Sequence, residues 1–187
     1  MRGREWRNRV HDGAVLDALE AVGPVPFEGD VWRVTKKGRD ALKGSSATGR
    51  WSPSGEFEVL YASLDPVGAY AEIGYRLSLE PVWPSRIEHE IHQINLHLQR
   101  SLDLADLSQL PDLGVNIARY KTFEYEATQA VASAAHFLEF DGLVVPSARY
   151  DCSNIVVFLD RIGENHRLEV CETKPVDWSD WKQRRPA

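Results

Sequence analysis

Between residues 12 and 22, Val15, Leu16, Leu19 and Val22 recur at helical spacing behind Asp12, whose short carboxylate suits an N-cap, and Gly23-Pro24 stops the run. A short helix is predicted there. Val31-Trp32-Arg33-Val34 and Phe57-Glu58-Val59-Leu60-Tyr61-Ala62 are β-prone, and Asp65-Pro66 then offers a cap and a proline at the first helical position. Val67 to Leu77 follows as a helix, with Tyr70, Ile73 and Leu77 near one stripe and Glu72 early in it. Residues 87 to 98 read two ways. Ile87, Ile91, Ile94 and Leu98 fit a helix, but Ile94, Leu96 and Leu98 alternate with Asn95 and His97, which favours a strand over 91–99. The alanine-rich segment from Ala118 or Tyr125 to Phe140 predicts a helix ended by Asp141-Gly142. Leu143-Val144-Val145-Pro146 and Ile155-Val156-Val157-Phe158-Leu159 are continuous apolar runs of strand length, separated by the polar turn Ser147 to Asn154.

Strands and helices therefore mix without a regular βαβ repeat, and the expected class is α+β in a single domain. Lys36 to Gly55 is polar and glycine-rich, a long loop of the kind that often carries function. The tail from Glu172, with Trp178 and Trp181 among charges, reads equally as docked or frayed.

Composition narrows the partners. The 187 residues hold 28 acidic against 22 basic side chains, a net charge of −6, whereas a general polyanion binder gains its affinity by neutralising phosphates. Bulk nucleic-acid binding is not expected. Cys152 and Cys171 stand far apart with no CxxC, which argues against a disulfide framework or zinc site. The basic start Met1-Arg2-Gly3-Arg4-Glu5-Trp6-Arg7 is followed by no apolar stretch, so a cytoplasmic protein without membrane contact is expected.

Two motifs fail on inspection. Gly44 to Gly49 has P-loop glycine spacing, but Arg50 and Trp51 replace the lysine and the magnesium-binding hydroxyl. His89-Glu90-Ile91-His92 resembles a zincin helix with its second histidine one position early, since Gln93 occupies the required place. His89, His92 and His97 are expected to be solvated or hydrogen-bonded residues of a half-buried element, and no metal is expected.

A different constellation survives. Trp32-Arg33, Gly49-Arg50-Trp51-Ser52-Pro53-Ser54-Gly55, Leu60-Tyr61-Ala62-Ser63, Ala71-Glu72 and Gly142 to Ala148 with Asn154 occur in an order and spacing that resemble the RES domain, the toxin half of a bacterial toxin–antitoxin family. Thr48 and Ser52 depart from the family's second glycine and its asparagine, so Ser52 receives no base-binding role. The resemblance covers residues 30–160, leaving 1–29 as an N-terminal helical extension and 161–187 as a C-terminal tail. It implies a fold similar to ADP-ribosyltransferases of the diphtheria-toxin type, NAD as substrate, depleted by hydrolysis or phosphorolysis, and a cognate antitoxin, expected to be a small helix-turn-helix protein that blocks the pocket. A homodimer is compatible with it.

The residues make chemical sense by themselves. A pyrophosphate invites planar guanidinium groups, which Arg33 and Arg50 supply. Cleaving the nicotinamide–ribose bond generates an oxocarbenium-like centre that a carboxylate such as Glu72 offsets, while nicotinamide leaves neutral without a second acid. Ser147 is expected to hold substrate by hydrogen bonding, and Tyr61 and Trp51 to offer a stacking wall. The competing structural readings are surface ion pairs for the arginines, a dipole-favoured helix acid for Glu72, a turn residue for Ser147, and core packing for Tyr61 and Trp51. Transfer of ADP-ribose to a protein, or nucleotide binding without chemistry, are the alternative functions.

Overall fold

The apolar runs near residue 60 and over 143–158 become neighbouring strands whose side chains are buried on both faces. The computed structural model describes residues 10–184, so the basic N-terminal stretch lies outside the described residues. Its strands are β1 (Val25–Lys36), β2 (Val59–Ser63), β3 (His89–Asp103), β4 (Gly142–Pro146), β5 (Ser153–Phe158) and β6 (Arg167–Pro175). Its helices are α1 (Gly13–Val22), α2 (Pro66–Ser78), α3 (Glu126–Phe137) and α4 (Trp178–Arg184), and 3-10 turns at Leu107–Leu113 and Ile117–Arg119 bridge β3 to α3. The architecture is mixed α+β.

The sheet runs β1-β2-β5-β4-β3-β6, and β1 also pairs with β3, so the first five strands close on themselves. Only β3 and β4 are parallel. Along β2, β4 and β5 successive residues enter opposite cores. Leu60, Ala62, Val144, Ile155 and Val157 share one cluster with Ile94, Leu96 and Leu98, whereas Val59, Leu143, Val145, Val156 and Phe158 face α3. Burial on both faces explains why these strands read as unbroken apolar runs and not as alternation.

Ring closure is weakest between β1 and β2, which share a single register pair, Trp32 with Ser63. A cavity opens beside this seam.

Several elements match the pattern in the sequence closely. Asp12 caps α1 through Ala14 N at 2.9 Å, and Gly23 terminates it. β3 is a strand with Ile94, Leu96 and Leu98 wholly buried, so alternation and not the i, i+3, i+4 spacing governs. Three differences have physical reasons. β1 begins at Val25, ahead of the β-prone core of the segment, because β3 supplies a long partner. α3 ends at Phe137, where Glu139 takes φ 63 and reverses the chain before Asp141. β6, whose side chains are almost all exposed, carries no inward apolar stripe, yet it pairs along β3 from Glu90 to His97.

The histidines are structural here. His92 lies between Thr35 Oγ1 and Thr173 Oγ1, each at 2.9 Å, tying β1, β3 and β6 together, and burial lowers its pKa. His89 meets Trp178 Nε1 at 3.1 Å. That contact docks the tail: Trp178 and Trp181 pack around Tyr70 of α2, with the Trp181 ring stacked at 5.4 Å. Gly74 permits this, since a Cβ there would stand 2.9 Å from Trp181 Nε1.

Candidate active site

Helix α2 carries Glu72 to its place. Asp65 accepts from Val67 N at 2.7 Å with Pro66 in the first turn, which fixes the helix start immediately after β2. Gly68 then lets the helix press onto Ser63 and Cys152, where any side chain would collide with both. One turn later Glu72 Oε1 accepts from Ser147 Oγ at 2.8 Å and from Asn154 Nδ2 at 2.9 Å. Ser147 comes from the turn after β4 and Asn154 from the start of β5. That turn aims Ser147, because its Oγ accepts from Arg149 N and Tyr150 N and so directs its proton to the carboxylate.

Since a carboxylate only accepts, Asn154 must present its amino end to Glu72. Its Oδ1 is left buried without a partner. Glu72 Oε2 likewise takes no hydrogen bond among the described residues.

The glycine-rich loop supplies the opposite wall. Tyr61 OH accepts from Trp51 N at 2.9 Å and donates to Ser52 Oγ at 3.1 Å, and Ser52 Oγ donates onward to Ala47 O. Helix α3 grips the same loop, with Thr128 Oγ1 donating to Arg50 O and Gln129 Nε2 to Gly49 O. Trp51 is 1% exposed and Tyr61 is half-buried. Both border the cavity, yet their contacts brace the loop, with Trp51 in the core.

Arg33 and Arg50 are partly buried cations. Arg33 Nη1 donates to Ala41 O at 2.7 Å, and burial brings its pKa down to about 10. Arg50 sits over the rings of Tyr120 and Tyr125, at 4.7 and 5.0 Å, with Nη2 on Thr122 O and Nη1 buried without a partner. Burial, with nearby Arg149, lowers its pKa as well. Neither arginine forms an ion pair among the described residues; Asp40 favours the Arg33 charge, and the two tyrosines and Glu72 that of Arg50, which offset the burial only in part.

The cavity encloses about 440 Å³, within the range of small-molecule sites. Arg33, Lys36, Arg39, Arg50, Arg76 and Arg149 line it against the single acid Glu72. An acidic chain has gathered its positive field at one place. Of the expected site residues, Arg33, Arg50, Trp51, Tyr61 and Glu72 all border this cavity, whereas Ser147 stands behind Glu72 with its hydroxyl engaged. Among the described residues no group of three or more His, Cys, Asp or Glu could hold a metal ion.

Sequence reasoning missed Tyr75, Phe123, Tyr125 and Arg149 of the same lining, as well as Tyr120 beneath Arg50. Tyr120 OH donates to Pro146 O at 2.7 Å, and burial pushes its pKa up to about 12, keeping it a neutral donor. The signal was a run of three aromatics within Tyr120 to Tyr125, which helical periodicity absorbed into the start of α3.

The geometry has counterparts. A 24% identical relative over 143 residues, covering 73% of this chain and 77% of its own, is the NAD(+) phosphorylase MbcT of Mycobacterium bovis. Another, the probable NAD(+) phosphorylase Rv3189 of Mycobacterium tuberculosis, is 32% identical over 130 residues, 68% of this chain. The match spans 62% of that relative's length. The fold is shared with the crystal structure of the M. tuberculosis MbcT–MbcA toxin–antitoxin complex, at TM-score 0.78 and 20% identity over 92% of this chain and 97% of that one. The RES domain model matches residues 30–179, a span that contains the Glu72 cradle and the arginine-lined wall, and the chain belongs to the RES domain family.

Proposed function

We propose that this protein is an NAD-consuming toxin that cleaves the bond between nicotinamide and ribose, with phosphate as acceptor, and that a separate antitoxin restrains it. The observation that carries the reading is the pairing of a fixed carboxylate, Glu72, with partly buried arginines that form no ion pair among the described residues, in one cavity. The names of the relatives support the choice of NAD and phosphate. At the level of fold, the reading implies kinship with ADP-ribosyltransferases of the diphtheria-toxin type, and the cytoplasm, where NAD is made and used, is its place of action.

The chemistry follows from the groups present. Arg33 and Arg50 bind the pyrophosphate. Glu72 Oε2 and Asn154 Oδ1 remain as acceptors for the ribose hydroxyls. As the C1′–N bond breaks, its electron pair leaves with nicotinamide, and Glu72 offsets the positive charge on the ribose. A phosphate oxygen then forms the new bond to C1′, giving ADP-ribose 1″-phosphate and free nicotinamide. Ser147 acts through Glu72: with Oε1 occupied, the carboxylate cannot rotate away.

Restraint uses the same charges, a carboxylate or chain terminus of the antitoxin occupying the arginines and competing with NAD. Incubating the purified protein with adenine-labelled NAD, with and without inorganic phosphate, tests the reading. Phosphate-dependent nicotinamide release with label in ADP-ribose 1″-phosphate is expected. Label on protein would move the assignment to protein ADP-ribosylation, and no nicotinamide release under either condition would overturn it.

A further inference from the structure

At the rim of the cavity the chain exposes an aromatic ring on a deliberately braced loop. Phe123 is 59% exposed, although it borders the cavity. The carbonyls of the two residues before it are each held by a cavity arginine: Lys121 O by Arg149 Nη1 and Thr122 O by Arg50 Nη2, both at 3.0 Å. Thr122 Oγ1 donates to Arg119 O, and Arg119 pairs with Glu124 at 2.7 Å, closing the loop around the ring. The neighbours are equally specific. Arg149 lies flat over Tyr75 at 3.6 Å and 5.7 Å from the Phe123 ring, while Tyr75 and Tyr125 stand 6.4 and 6.3 Å from Phe123. A single exposed apolar ring needs no explanation, but one presented by a pinned loop at the mouth of a cationic cavity does.

We propose that Phe123, with Arg149 and Tyr75 beside it, is the stacking platform for the purine base of the dinucleotide. The inference rests on the NAD-cleaving reading and adds where the non-reacting end of the substrate lies. A base has a π-face that an aromatic ring and a guanidinium both accept. The other flat ring of NAD is excluded on charge, since cationic nicotinamide would be repelled by Arg149 and must sit by Glu72. Arg149 also belongs to the turn that carries Ser147 and leads into Asn154 of β5, so the platform and the Glu72 cradle share one continuous segment.

Binding of AMP and of nicotinamide mononucleotide to wild type, Phe123→Ala and Phe123→Trp, by titration calorimetry, separates the ends of the substrate without relying on turnover. AMP should bind Phe123→Ala about tenfold or more weakly, the scale of a lost base–aromatic stack. Phe123→Trp should retain AMP, and nicotinamide mononucleotide should be indifferent to both changes. AMP affinity within twofold of wild type in Phe123→Ala, or equal losses for both nucleotides, overturns the platform. Phe123-dependent AMP binding in a protein that releases no nicotinamide from NAD would leave the platform standing and sink the catalytic reading instead.

Discussion

Helix α2 is held in two different ways on two sides. Toward the cavity, Glu72 is fixed by two hydrogen bonds, from Ser147 in the β4–β5 turn and Asn154 at the start of β5, directional contacts that set one oxygen and leave the other open. Away from it, Tyr70 and Gly74 meet Trp178 and Trp181 of the tail. Packing of this kind is insensitive to direction and roughly proportional to the area covered. The division teaches that the chemistry and the position of the helix have separate supports, so each can be damaged alone.

The largest effect should come from the cavity side. Glu72→Gln keeps the size of the side chain and should lower nicotinamide release by about 10²-fold or more, the scale for losing one preorganised electrostatic group, with an unchanged melting temperature. Near wild-type turnover would remove Glu72 from the mechanism. Next, Arg33→Lys preserves charge but loses the planar fork, so NAD should bind about tenfold more weakly by calorimetry. Undiminished affinity would show that Arg33 is not a phosphate ligand.

On the tail side the readouts should reverse. Trp181→Ala removes the ring stacked on Tyr70, and a loss of about 1–2 kcal/mol should lower the melting temperature by roughly 2–8 °C while turnover on NAD stays unchanged. A fall in turnover matching that of Glu72→Gln would mean that the tail also positions the carboxylate.

The smallest effect is a pH dependence of the scaffold behind both supports. Burial lowers the pKa of His92 and of His89 below 6.5, so the folded protein favours the neutral rings and the unfolded chain binds more protons. By linkage, their contribution to stability is complete above about pH 6.5 and is lost as pH falls through the folded values. Urea midpoints should therefore drop between pH 7.5 and pH 5.5, and His92→Gln should flatten the slope. An identical slope in that variant would place the acid sensitivity elsewhere.

Much of the molecule was legible in the linear pattern because it depends on neighbours in sequence. Asp12 and Asp65 cap helices by bonding residues two positions on, and alternation over Ile94, Leu96 and Leu98 is a local consequence of strand geometry. The order of Arg33, Arg50, Glu72 and Ser147 was enough to nominate groups that the fold brings together, three lining one cavity and Ser147 bonded to Glu72. Other features required the fold. β6 is mostly polar and exposed, and the free edge of β3 makes it a strand. The tail docks because α2 offers a glycine where the tryptophans approach. Ser147 serves Glu72 and not the cavity because the β4–β5 turn meets helix α2 at that point, a contact across 75 residues of chain. Tyr75, Phe123, Tyr125 and Arg149 meet at one rim from three separate segments. Residue type and spacing determine what local segments prefer and which groups could do chemistry. Which oxygen is occupied, which cation forms no ion pair and which ring faces solvent are properties of long-range juxtaposition, and only the closed sheet and the helices laid on it decide them.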